Sequence, residues 1–328
     1  MLFSIIIPVY QVEDYLAACM DTVLPLKQSD CEIILVIGNS IDRSNEIAME
    51  YAQKYKGVRI VKQSGTGLSN ARNCGVSNSD GAFIVYIDSD DLVDTSKLLM
   101  LMKHIRESRT RADVYMSDYI QLFPSGNKRS SCQVGDMSAY AGMAALPVVL
   151  REKKCFWNVW RYIYRRAFLE KHQISFWENR TSEDVDYTAK VFSCNPQIEF
   201  WNMPYYLYRM GRKDSLMNVV SVKRVQDVTT VLEGSIAMLG KTNSFAYAQV
   251  LQEQFRFEYL LNIALICEVG KKDRHDAYTA FANWKSVLHA SKSVIVKTFY
   301  FFMLFFGLSS GARILLGLKK VKRKIVRH

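Results

Sequence analysis

Four short apolar runs, separated by stretches with helical spacing, fill the first ninety residues and constrain the fold more than any other feature. Phe3–Pro8, Glu32–Ile37, Val58–Val61 and Ala82–Asp88 are rich in Ile, Val and Phe, with little polar alternation. A strand that is apolar on both faces must be covered on both, which is the condition of a parallel sheet packed between helices. Val12–Leu24 and Arg43–Lys56 carry the apolar spacing of helices that lie on such a sheet. The expectation is an α/β fold with a mostly parallel sheet and helices on both faces. Ligands of these sheets bind beyond the carboxyl ends of the strands. That rule directs attention to Val9–Tyr10, Gly38–Ser40 and Asp88–Asp91.

Further along, the patterning predicts a helix over Thr95–Ser108, a strand near Asp113–Tyr119, a turn at Pro124-Ser125-Gly126-Asn127 and a helix over Met137–Arg151. A loop, Trp177–Ser182, precedes a short helix over Asp184–Ser193. After Ser221 strand signals fade and long amphipathic patterns take over. A boundary is therefore expected near Asn218, with a catalytic domain over 1–218, a helical extension over 219–297 and a tail over 298–328.

The chain is 49% hydrophobic and 23% charged, so it has the apolar residues to bury a core. Its net charge of +11 is localised. Ala277–His328 holds ten basic residues and no acid, which leaves 33 basic against 32 acidic residues in 1–276. A basic stripe across the body would have suggested nucleic acid; its absence excludes that partner. Within the tail, Thr298–Ala312 runs fifteen residues without a charge, bounded by Lys297 and Arg313. A spanning helix needs about 20 apolar residues, so attachment to an anionic membrane surface is expected instead. The seven cysteines form no C-x-x-C pair, and they read as reduced thiols in a reducing compartment. The N-terminal MLFSIIIPVY lacks a basic leader and reads as a first buried strand.

Chemistry concentrates where the fourth strand ends. Asp88-Ser89-Asp90-Asp91 places three carboxylates within four residues. Such a cluster calls for a counter-charge, and Mg²⁺ or Mn²⁺ with its preference for hard oxygen supplies one. A helix N-cap at Asp91 or Asp94 accounts for one acid but not for three. Gly65-Thr66-Gly67-Leu68-Ser69-Asn70-Ala71-Arg72 opens a short helix with an arginine inside, a combination suited to a diphosphate. No G-x-G-x-x-G follows the first strand, which argues against a nicotinamide-binding dehydrogenase.

SIIIPVYQVEDYLAACMDTVL, GLSNARNCG, YIDSDD, WNVWRYIYRRAFLE and SEDVDY, in this order and spacing, resemble the inverting family 2 glycosyltransferases of the GT-A fold. The resemblance covers Phe3 to about Met217. It implies that residues 1–120 form the nucleotide-sugar-binding half and 121–218 the acceptor side. Pro8, Val9 and Tyr10 would line the nucleotide pocket, and Arg72 would sit by the donor. Asp88, Ser89 and Asp90 would form the D-x-D element, with Asp90 on the metal and Asp88 nearer the ribose and donor sugar. Glu183 and Asp184 match the family's E-D pair, in which Asp184 is the general base. Trp157 and Asn158 match a W-N element beside the acceptor. Arg212, then Arg209, would contact the diphosphate.

One departure stands out. Where the family carries an Asp after the second strand, this chain has Ile37 and Gly38, with Asn39 the nearest side chain able to donate and accept. The resemblance implies transfer from a nucleotide-sugar donor, a UDP-sugar by expectation, to a saccharide or lipid-linked saccharide in surface polysaccharide synthesis. Together with the apolar and basic tail, it leads to the expectation of a cytoplasmic protein, peripheral on the inner face of the cell membrane. The altered turn supports the alternative of a catalytically inactive scaffold with the same fold.

Overall fold

The computed structural model describes residues 1–108, 112–130, 157–211, 220–242 and 246–326. The helix expected over Met137–Arg151, the boundary near Asn218 and Arg212 lie outside them. The chain falls into two compact units, Met1–Asn179 with Cys194–Lys213, and Arg180–Ser193 with Asp214–His328.

The first unit holds one sheet. Its strands among the described residues are β1 (Phe3–Val9), β2 (Cys31–Ile37), β3 (Val58–Lys62), β4 (Phe83–Tyr86), β5 (Leu92–Val93), β6 (Val114–Leu122), β7 (Lys128–Ser130), β8 (Tyr162–Arg165) and β9 (Ile198–Arg209). They run in the order β3-β2-β1-β4-β8-β6-β9-β5, with β7 paired to β6. Helices α1 (Glu13–Val23), α2 (Ser44–Lys54), α3 (Gly67–Ser77), α4 (Thr95–Glu107) and α5 (Arg166–Lys171) accompany them.

The half made of β3, β2, β1 and β4 is parallel throughout, as the apolar runs require. All seven residues of β1 are buried, and each of Ile5, Ile6 and Ile7 contributes about 1.5–3 kcal/mol by leaving water. α3 lies close against this sheet because it carries Gly75. A Cβ there would sit 2.3 Å from Ile6 Cγ2 and 3.1 Å from Val36 Cγ2. The fourth strand is shorter than expected and ends at Tyr86. Ile87 N still donates to Ile6 O at 3.0 Å, but the chain then turns, with Asp91 N donating to Asp88 O at 3.0 Å. Of the two capping candidates, it is Asp94 that caps α4, accepting from Lys97 N at 3.2 Å.

Beyond β4 the sheet becomes mixed. β8 is antiparallel to both β4 and β6, while β6 and β9 are parallel with an irregularity between Ser117 and Tyr119. Its core is built from tyrosines: Tyr115, Tyr162, Tyr164, Tyr205 and Tyr206 are all fully buried. Among them lies Arg161, whose Nη2 donates to Asp118 Oδ1 at 2.8 Å and whose Nε donates to Ser117 O at 2.9 Å.

The second unit is helical: α6 (Glu183–Ser193), α7 (Val222–Lys241), α8 (Ala246–Asn262), α9 (Leu265–Glu268), α10 (Arg274–Ala280), α11 (Trp284–His289), α12 (Val294–Phe306) and α13 (Leu308–Val326). Ser221 caps α7 by accepting from Arg224 N at 3.2 Å. Val225, Val228, Leu232 and Leu239 of α7 are buried, as are Leu251, Phe255 and Tyr259 of α8. Gly307, at φ +82°, turns the chain between α12 and α13, a conformation disfavoured for residues with a Cβ.

Candidate active site

In the first unit the three acids after β4 have separate fates. Asp91 is buried; its Oδ1 accepts from Arg209 N at 2.7 Å and its Oδ2 from Tyr206 Oη at 2.8 Å. Burial, followed by the charges of Asp90 and Asp88, pushes its carboxyl well above the usual range. Tyr206 Oη also accepts from Asp88 N at 3.1 Å, and Arg209 Nε donates to Asp90 O at 2.8 Å. β9 thus grips the turn from below, and Asp91 is a structural group. Trp160, stacked on Tyr206 at 4.0 Å between centroids and 12° between planes, holds that strand in place.

Asp88 and Asp90 are the half-exposed acids of the trio. Asp88 Oδ1 lies 2.8 Å from Nη2 of Arg72, whose side chain is 1% exposed. The guanidinium sits 5.2 Å from the ring centroid of Phe176 and 6.0 Å from that of Tyr86. Arg72 is therefore placed behind Asp88, orienting its carboxylate. The segment bearing Phe176 is tied to α3 by Asn73, which accepts from Phe176 N at 2.9 Å, and by Glu178, which accepts from Asn70 Nδ2 at 3.1 Å and Asn73 Nδ2 at 3.0 Å. Ser89 is buried.

These residues pass a chemical test for a hard divalent cation. Among the described residues no group of three or more His, Cys, Asp or Glu side chains is placed to hold a metal alone. Asp88 and Asp90 are the half-exposed carboxylates at the turn, and Mg²⁺ or Mn²⁺ commonly takes one or two carboxylates plus substrate phosphates.

At the neighbouring strand ends, Pro8 and Val9 are buried within β1, and Val9 O accepts from Gly38 N at 3.2 Å. Tyr10 stands exposed. Asn39 is exposed too, while a Cβ on Gly38 would meet Gln63 Oε1 at 3.1 Å and the Tyr10 ring at 3.4 Å. Trp157 and Asn158, both half-buried, lead into the short turn Val159–Arg161 that enters β8. Arg209 reaches over the Tyr15 ring at 5.4 Å.

In the second unit, Glu183 and Asp184 begin α6, where the helix dipole favours negative charge. Both are half-buried, whereas Asp186 turns inward to Lys190 at 2.6 Å. The approach to α6 is fixed by buried Asp227 of α7, which accepts from Arg180 Nη1 at 2.8 Å, Thr181 N at 3.0 Å and Lys223 Nζ at 2.8 Å.

Sequence reasoning alone missed Tyr206, Trp160, Arg161–Asp118 and Asp227. Tyr206, Trp160 and Arg161 belong to the segments WNVWRYIYR and YYLYR, in which repeated aromatics are the available signal, whereas Asp118 lies in VYMSDYIQL.

Comparison with known proteins gives these residues a context. The description of glycosyl transferase family 2 matches residues 4–176. The uncharacterized glycosyltransferase EpsJ of Bacillus subtilis is 30% identical over 213 residues, 63% of this chain and 61% of that protein. The chain thus spans less than two thirds of that relative. Among solved structures, S. aureus TarS 1-349 in complex with UDP-GlcNAc superposes with a TM-score of 0.74 at 19% identity, covering 98% of this chain and 92% of that one. The mannosyltransferase PcManGT of Pyrobaculum calidifontis, in complex with GDP-Man and Mn²⁺, gives 0.55 at 13% identity over 97% and 84%. With more than half of its residues matched, and with the sheet and helices described above, the chain belongs to glycosyl transferase family 2 and has the GT-A fold.

Proposed function

We propose that this protein is an inverting, metal-dependent hexosyltransferase. It moves a sugar from a nucleotide-sugar, a UDP-sugar by expectation, to a hydroxyl of a saccharide or lipid-linked saccharide, in assembly of a bacterial surface polysaccharide at the inner face of the cell membrane. The observation that carries the proposal is the turn after β4, where Arg72 presents Asp88 beside Asp90 while β9 holds Asp91 beneath. The complexes of TarS with UDP-GlcNAc and of PcManGT with GDP-Man and Mn²⁺ support the donor class and the metal.

Asp90 and Asp88 would hold Mg²⁺ or Mn²⁺, which offsets the charge that develops on a departing diphosphate. Tyr10 and Asn39 offer surface to the nucleotide, and Arg212 a phosphate contact. Trp157, Asn158 and Glu183 serve the acceptor side. Asp184 takes the acceptor's proton while the acceptor oxygen bonds to the anomeric carbon. The bond from that carbon to the diphosphate oxygen breaks with its electron pair going to the leaving group. A single displacement from the opposite face inverts the centre.

A thermal-shift screen of nucleotide sugars with and without Mn²⁺ tests this. Metal-dependent stabilisation by one donor, and donor turnover lost in Asp184→Asn, are expected; stabilisation by none of the donors would refute the reading. Ile37 and Gly38, where the family carries an acid, favour a second reading, an inactive scaffold. Donor hydrolysis by the wild type that disappears in Asp90→Ala decides against it.

A further inference from the structure

The apolar run near the C-terminus divides into two faces. On α12, Val296, Tyr300 and Met303 are buried, whereas Val294 is 79% exposed, Phe305 82% and Phe306 66%, with Ile295, Phe301 and Leu304 also exposed. On α13, Ala312 and Leu315 are buried, and Ile314, Leu318 and Val321 are exposed. The inner faces approach closely at Gly311, where a Cβ would lie 2.5 Å from Met303 Sδ. Each helix thus leaves an apolar stripe outward.

A cavity of about 250 Å³ opens beside the start of α12, lined by Gln249, Gln252, Glu253, Arg256, Ala290 and Lys292. Its acid is already engaged. Glu253 Oε1 accepts from Arg256 Nη1 at 3.0 Å, and Oε2 accepts from Ser291 Oγ, Lys292 N and Ser293 N. Arg256 Nε is buried and meets no acceptor among the described residues. Arg256 is paired with Glu253 and Lys292 is exposed, so the cavity keeps the net charge of one cation. A cavity with net positive charge at the start of α12 suits an anionic headgroup.

We infer that α12 and α13 lie in the interfacial zone of an anionic membrane, and that the cavity beside Lys292 receives the phosphate of a lipid headgroup. A lipid fits because the cavity and the exposed Val294 and Ile295 are adjacent, offering one amphiphile a place for its head and for its chains. α12 has 13 residues, about 20 Å in length, and no helix among the described residues is long and apolar enough to cross a membrane. It therefore lies in the plane, with its aromatic face at the acyl boundary. A second copy is a poor occupant, because Ala277–His328 carries ten bases and no acid and would meet its own charge. This inference deepens the membrane-side placement proposed above and needs no donor, so vesicle binding and donor-dependent stabilisation report on the two readings separately.

The test is flotation of the full chain with vesicles of phosphatidylcholine alone or with added phosphatidylglycerol. Wild-type protein should float with the anionic vesicles and much less with the neutral ones. The double substitution Phe301→Asp/Phe305→Asp should reduce flotation roughly tenfold or more. Arg256→Gln and Lys292→Gln should each weaken anionic binding by about fivefold. No wild-type flotation, unchanged flotation of the Phe301/Phe305 variant, or equal binding to both lipids would overturn the inference. So would inorganic phosphate that stabilises the protein without any vesicle binding, or a dimer in light scattering that Phe305→Asp dissociates. Should a variant lose its helical circular dichroism, the wild-type comparison of the two lipids decides.

Discussion

Two arginine–aspartate pairs in the first unit have nearly the same local geometry and opposite surroundings. Arg161 meets Asp118 and Arg72 meets Asp88, each at 2.8 Å, and both arginine side chains are 1% exposed. Each guanidinium also lies among aromatic rings, Tyr119 and Tyr162 in one case and Phe176 and Tyr86 in the other. The carboxylates differ: Asp118 is 3% exposed and Asp88 23%. A fully enclosed ion pair fixes packing and has no surface to offer a ligand. An enclosed arginine behind a carboxylate open to solvent orients a group that still has lone pairs to present. The difference is the ground for proposing that the Asp88 pair serves a ligand while the Asp118 pair serves the packing.

The comparison can be broken experimentally. Asp118→Asn leaves a buried guanidinium without its counter-charge and should lower the unfolding free energy by about 3–5 kcal/mol, read from urea denaturation. A loss below about 1 kcal/mol would erase the distinction from the Asp88 pair. Asp88→Asn should cost about 1–2 kcal/mol of stability, yet slow sugar transfer by roughly 10²-fold or more, read from initial rates. Full activity in that variant would make both pairs structural.

Tyr206→Phe sharpens the contrast from below, because it removes the hydroxyl shared by Asp91 and the Asp88 amide. A loss of about 1 kcal/mol is expected, with transfer falling less than in Asp88→Asn. The smallest effect concerns the second unit. Burial raises the Asp227 carboxyl, but hydrogen bonds from Lys223, Arg180 and Thr181 outweigh it and hold it below the usual range. Its stabilisation is present above about pH 4 and is lost as pH falls through the folded value. Asp227→Asn should therefore lower Tm at neutral pH and flatten the acid limb of Tm against pH.

Much of the parallel half of the sheet was legible because burial on both faces writes continuous apolar runs. β8 and β9 were not. β8 is four residues inside a basic, aromatic stretch, and β9 contains Pro204, which cannot donate to a ladder. The acid cluster was visible because its members are contiguous, but their division of labour was not. Asp91 is claimed by Tyr206, 115 residues away, and that partnership exists only after β9 has joined the sheet. Likewise the apolar segment 298–312 announced itself by composition, while its split into an inner face through Tyr300 and Met303 and an outer one through Phe301 and Phe305 needed the helices in three dimensions.

Gly75 shows how far control of the Arg72–Asp88 pair can extend from the pair itself. By omitting one methyl it sets the stand-off between α3 and the strands below, and Arg72 rides on the same helix one turn earlier. A larger side chain there would act as a shim, lifting the helix and drawing the guanidinium back from Asp88. The field at the mouth of β4 is thus tuned by a spacer in the hydrophobic layer, and any demand on that field would register there as a demand for emptiness.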